Sequence, residues 1–139
     1  MDEAKQQLVR SWLIKARHDL AAARKLASDP EPYLDTAIYH CQQAAEKAIK
    51  GFLVFHDTRF EKTHDIQHLV TLATPIASSL EPWLDAAERL TPYAAAYRYP
   101  GEILEPTQDE FRLAFRAAEQ FYEFVVSLLP LEVRPRSEA

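Results

Sequence analysis

"YLDTAIYHCQQAAEKAIKGFLVF", Tyr33 to Phe55, decides the fold. Ile38, Cys41, Ala45, Ala48, Ile49 and Phe52 recur at three- and four-residue intervals, which is the spacing of one helix face. A helix this long with a continuous apolar face has to bury that face against other helices, so the stretch predicts a helical bundle. His40, Gln43, Glu46, Lys47 and Lys50 fall on another side of the same helix. That polar side reads in two ways. It is either a solvated stripe, with Glu46 and Lys50 as an i,i+4 pair worth about 0.2–0.5 kcal/mol, or a functional surface.

The same periodicity extends in both directions. Upstream, from about Lys5 to Ala27, Val9, Leu13, Ala16, Leu20, Ala23 and Ala27 form a helix face that Trp12 and Leu26 broaden. "SDPEP" ends it, since proline opposes helix at the residue before it. Downstream, "HDTRFEK" is a polar connection with Phe60 tucked in, and a third helix begins after Thr63 with Ile66, Leu69, Val70 and Ala73. A fourth starts near Glu81-Pro82 with Trp83, Leu84, Ala87 and Leu90 inward, and Thr91-Pro92 either kinks it or opens a fresh helix to Tyr97. After the irregular "RYPGEILEP", a fifth runs from about Gln108 to Leu129, with Phe111, Phe115, Ala118, Phe121 or Tyr122, Val125 and Leu128 as its face. The expectation is an all-α, antiparallel up-and-down bundle of about five helices with a four-helix-bundle-like core. One domain covers residues 1–130, and 131–139 is a frayed tail.

Composition narrows the chemistry. Two glycines against nine prolines cannot build a Gly-rich phosphate loop and suit helices punctuated by proline. A net charge of -5 disfavours a broad duplex-binding surface but allows a local basic groove. Cys41, alone and in an apolar register, reads as a small buried hydrophobe and fits a reducing cytoplasm. The polar "MDEAKQQLVR" carries no signal-peptide core, and no apolar run approaches the ~20 residues of a membrane span.

"HCQQAAEKAIKGFLVFHDTRFEKTHDIQHLV" resembles the core signature of the HEPN family, a helix carrying Gln-x-x-Glu-Lys-x-x-Lys followed by Lys-Thr-His-Asp at the next helix. Gln43, Glu46, Lys47, Lys50, Lys62, Thr63, His64 and Asp65 match it position for position. Trp12, Lys15, Ala16, Asp19 and Leu20 fit the family pattern in the first helix, and Tyr97 to Pro100, "YRYP", fits it after the fourth. The resemblance implies a bundle of about five helices, a homodimer and a protein that binds nucleotides. It also implies an accessory to a minimal nucleotidyltransferase, often in a toxin–antitoxin pair. A separate branch of the family consists of metal-independent ribonucleases, with an arginine and a histidine four to six residues apart in the dimer cleft. The implied nucleotide- or RNA-phosphate-binding residues are Gln43, Glu46, Lys47, Lys50, Lys62, His64, Asp65, Arg98 and Tyr99. No cofactor is implied beyond the nucleotide as ligand, and no membrane.

Three residues are candidates for ribonuclease chemistry: Arg98, Arg59 and His64. A histidine would move the proton of an RNA 2′-hydroxyl and an arginine would stabilise phosphate charge. Arg98 occupies the family's arginine position, but Ile103, Leu104 and Glu105 stand where its histidine should follow. Arg59 and His64 have the spacing but lie in the loop between helices two and three. His64 and His68 suggest two metal ligands one helical turn apart, with Asp65 where H-E-x-x-H has its glutamate and no third ligand evident, so no metal is expected. Thr63 is an expected N-cap, Asp65 a first-turn complement to the helix dipole, and Lys62 is free to reach a phosphate. In "AAYRYPGE", Arg98 can grip a phosphate while Tyr93, Tyr97 and Tyr99 stack on a base. Alternatively the tyrosines fill the end of the bundle and Arg98 pairs with Glu46 or Asp65.

Overall fold

A computed structural model describes residues 2–101 and 104–136. Its long helices are α1 (Glu3–Ser28), α2 (Leu34–Phe55) and α5 (Gln108–Ser127), with the shorter α3 (Ile66–Ala73) and α4 (Leu84–Leu90) between α2 and α5. Lys5 meets Asp57, Asp19 meets His40 and the Tyr33 N–H reaches Leu26, so α1 and α2 run antiparallel over nearly their full length. Gly51 allows a close approach of the two helices, because a Cβ there would lie 3.1 Å from the Cβ of Trp12. Trp83 packs on Phe121 and Phe124 while Tyr93 reaches Glu110, so the α4 segment runs antiparallel to α5. α3 packs against both α2 and α4, so α3 and α4 lie side by side and complete the bundle with α1, α2 and α5.

The core is apolar and continuous: Leu13, Ile38, Ile49, Phe52, Leu53, Ile66, Leu69, Leu80, Leu90 and Phe121 are all fully buried. Cys41 lies among them, and burial pushes its thiol up to about 12, leaving it an inert core residue. No helix among the described residues is long and apolar enough to cross a membrane.

Several local expectations need correction. Thr63 does not cap α3. Asp65 does, its carboxylate accepting from the His68 N–H at 3.1 Å, while the Thr63 hydroxyl accepts from the Asp65 N–H one step earlier. The fourth helix, expected from near Glu81-Pro82, opens as a 3-10 segment at Ser78–Trp83 and continues as α4, and at Thr91-Pro92 a fresh 3-10 turn begins that ends at Ala94 rather than Tyr97. Each 3-10 segment contains a proline, which cannot donate to an α-helical ladder. Nor do residues 131–136 fray. Leu131–Val133 form a 3-10 turn, Val133 is only 1% exposed, and helix α1 straps the segment down. There the Arg10 guanidinium donates to the Glu132 carbonyl and Arg17 to that of Arg136. Residues 137–139 of the expected tail lie outside the described residues.

Candidate functional site

The polar side of α2 is not solvated. Gln43, Glu46 and Lys50 are all buried, and Gln42, one residue off that side, is fully so. A buried carboxylate has to be paired and hydrogen-bonded, and Glu46 is both. Its Oε2 accepts from Lys50 Nζ at 2.9 Å; its Oε1 lies 2.7 Å from His64 Nδ1 and 3.2 Å from Gln42 Nε2. Burial alone would raise the Glu46 carboxyl, but the hydrogen bonds from Lys50, His64 and Gln42 outweigh it and hold it below the usual carboxylate range. Gln42 also donates to the His64 carbonyl at 2.9 Å, and Gln43 donates to Gln42 at 2.7 Å. The two halves of the sequence signature are thus one network, in which α2 pins ring and backbone of the Lys62–Asp65 loop.

A second buried carboxylate repeats the arrangement nearby on α1. Asp19, 7% exposed, holds His40 Nδ1 with one oxygen and Lys47 Nζ with the other, each at 2.7 Å. A carboxylate can only accept, so His40 carries a proton on Nδ1 and keeps Nε2 for other partners. Lys47 also borders a shallow groove with Leu8, Ser11, Trp12 and Lys15.

Arg98 pairs with neither Glu46 nor Asp65, and it shares a cavity with His40 of the Asp19 network. Its guanidinium stacks on the Tyr39 ring at 4.0 Å, approaches Tyr99 at 5.8 Å, and donates to the Ala94 carbonyl at 3.1 Å. Tyr39 is the N-terminal continuation of the helix-two stripe, so Arg98 does close on that stripe, near its beginning. Together with Asp35, Thr36, Tyr39, His40 and Tyr97, Arg98 lines a cavity of about 300 Å³. Tyr93 and Tyr97 stack on each other and both donate to Glu110 of α5, at 2.6 and 3.0 Å, so they close the bundle end, whereas Tyr99 is exposed. Burial, with the Glu110 carboxylate, drives the Tyr93 hydroxyl well above its ordinary range.

The remaining candidates do not converge. Arg59 is exposed and makes no hydrogen bond or ion pair among the described residues, so it forms no pair with His64. Lys62 is exposed as well. His64 precedes α3, so His64 and His68 are not ligands one helical turn apart. Among the described residues no cluster of three His, Cys, Asp or Glu side chains could hold a metal. Of the positions downstream of Arg98, Ile103 lies outside the described residues. Sequence reasoning misses Asp19, Gln42 and Asp35 as site residues. A signal for Asp19 and Gln42 does exist: each sits in the apolar register of its helix, beside Ala16 and Leu20 or beside Ile38 and Ala45, where a polar side chain needs a buried partner.

A family model described as the HEPN domain matches residues 9–129. The chain belongs to the HEPN family. Two solved structures accord with this. One, TT1696 from Thermus thermophilus, superposes with a TM-score of 0.77 at 28% identity, covering 87% of this chain and 98% of that one. The other, ST0689, described as an archaeal HEPN homologue, gives a TM-score of 0.68 at 27% identity over 86% of this chain and 96% of that one. No curated protein matches. In this HEPN protein Gln43, Glu46, Lys50 and His64 of the family signature lie in the Glu46 network, and Tyr97 and Arg98 of "YRYP" line the Arg98 cavity.

Proposed function

We propose that this HEPN protein binds the phosphate of a nucleotide or of RNA at Arg98, as the accessory of a minimal nucleotidyltransferase in a toxin–antitoxin-type pair. The observation that carries the reading is the Arg98 guanidinium stacked on Tyr39 at 4.0 Å beside a cavity. Stacking fixes the plane of the guanidinium fork, which is the geometry a two-pronged phosphate contact needs. The signature lysines support phosphate binding less well, because Lys50 is engaged by Glu46 and Lys47 by Asp19. Lys62 and Tyr99 are both exposed, and Tyr99 stands beside Arg98.

A melting-temperature titration with ribonucleoside mono-, di- and triphosphates tests this. The wild type should be stabilised in proportion to the logarithm of ligand concentration. Arg98→Ala should melt like the wild type without ligand and gain nothing with it. A wild type that no nucleotide stabilises would remove the reading. Homodimer formation is tested by light scattering, and the partnership by co-expression and co-purification with a minimal nucleotidyltransferase, whose failure to co-purify would remove that part of the reading.

One observation favours a second reading, metal-independent RNA cleavage. His40, oriented by Asp19, lines the same cavity as Arg98, which brings an Arg–His pair together from two elements. RNA cleaved by the wild type and by His40→Ala alike would exclude it.

A further inference from the structure

The Arg98 cavity carries charges of both signs that do not neutralise one another. Asp35 and Thr36, in the first turn of α2, line it along with Arg98. The Asp35 Oδ1 accepts from the Thr36 N–H at 2.8 Å and from its hydroxyl at 3.4 Å. Among the described residues Oδ2 has no partner, Asp35 meets no cation and Arg98 meets no carboxylate. An aspartate in the first turn of a helix complements the dipole. That accounts for Asp35 being there, but not for a carboxylate oxygen without a protein partner in a cavity shared with a guanidinium that has no counter-ion among the described residues.

Such a cavity discriminates among phosphate-bearing ligands. Inorganic phosphate gains Arg98 but meets the like charge of Asp35. A ligand that brings its anion to Arg98 and hydroxyl donors to Asp35 satisfies both. A ribonucleotide does this, because its vicinal diol donates to a carboxylate in the way an acidic residue holds ribose in dinucleotide-binding folds. We infer that the cavity takes a ribonucleotide unit, its phosphate on Arg98 and its ribose diol on Asp35, so that Asp35 selects the sugar. The inference rests on the reading of Arg98 as the phosphate contact. A volume of about 300 Å³ is at the small end for ligand sites and suits one nucleotide unit rather than a dinucleotide. His40 Nε2, which has no partner among the described residues while Nδ1 is held by Asp19, is left to contact the ligand in the same cavity.

Calorimetric titration of the full chain with AMP, GMP, CMP and UMP, each against its 2′,3′-dideoxy counterpart, tests the assignment. Hydrogen bonds to a charged group predict that the dideoxy forms bind about 10- to 100-fold more weakly. In Asp35→Ala that gap should close, and the dideoxy forms should bind at least as well as they do to the wild type, since the repulsion is gone. Asp35→Asn, which keeps an acceptor for Thr36, should narrow the gap without lowering the melting temperature. Equal affinity of ribo and dideoxy forms for the wild type overturns the role of Asp35 and leaves the Arg98 reading standing. A gap that persists in both variants does the same. Binding of no nucleotide at all overturns the Arg98 reading, and this assignment with it.

Discussion

Glu46 Oε1 and His64 Nδ1 lie 2.7 Å apart, and this contact fastens the Lys62–Asp65 loop to the middle of α2. The carboxylate is 4% exposed whereas the imidazole is largely in solvent. The pair therefore joins a buried anchor to a surface residue, and the family signature is in the first place a fastening.

Replacing Glu46 by glutamine should accordingly damage the fold before it damages any binding. It leaves the Lys50 ammonium, itself buried, without a counter-ion, and removing one partner of a buried pair costs about 3–5 kcal/mol. Chemical denaturation of Glu46→Gln beside the wild type checks this, and a loss below about 1 kcal/mol would contradict the burial.

The same residue sets an acid dependence. The Glu46 carboxyl titrates lower in the folded chain than its ordinary 4.5, so the folded state binds fewer protons there than the unfolded state does. Its contribution is complete above that ordinary value and is lost as pH falls through the folded value. Melting curves from about pH 6 down to pH 3 should therefore show the gap between wild type and Glu46→Gln narrowing with acid.

The Arg98 platform gives a graded prediction. Tyr39→Phe keeps the aromatic face and should leave nucleotide affinity unchanged. Tyr39→Leu removes the stacking, worth about 0.5–2 kcal/mol, and should weaken binding by about 2- to 30-fold. Thermal shift titrations of the two variants separate the ring from the hydroxyl.

Ending the chain after Pro130 should destabilise it. The buried Val133 side chain alone accounts for about 1.5–3 kcal/mol, and the strapping contacts of Arg10 and Arg17 are lost as well. A lowered urea midpoint is expected. An unchanged midpoint would mean that the tail does not dock.

At the helix crossing, Gly51→Ala should cost about 1–3 kcal/mol, because the added Cβ meets Trp12 at its own Cβ, an atom with little freedom to yield. Urea denaturation of this variant provides the measurement.

The helices are legible in the sequence because apolar spacing is a local property: α2 and α5 carry unbroken three-four patterns, and the observed ends lie within a residue or two of those expected. The fourth helix is less legible, since Pro82 and Pro92 convert its ends to 3-10 turns while leaving the apolar pattern intact. The docked tail is illegible for another reason. Its anchors are backbone carbonyls gripped by Arg10 and Arg17 from far along the chain, and carbonyls leave no trace in residue identity. For the site, spacing finds the signature residues but not their role. It offers the Glu46–Lys50 pair as one reading of that side of α2, yet it cannot show that the pair is buried or that Asp19 holds Lys47.

Asp19 shows how narrowly a buried position can be specified. Its two oxygens each accept from a different donor, His40 and Lys47, at the same distance. Asparagine has the same shape, but with its oxygen on Lys47 it would turn an amide N–H₂ toward His40, which could accept it only by moving its proton from Nδ1 to Nε2. Glutamate has the two acceptors on a stem one methylene too long for a closely packed helix pair. Position 19 is thus a slot for two acceptors on a short stem, and aspartate fills it while keeping the proton of His40 on Nδ1.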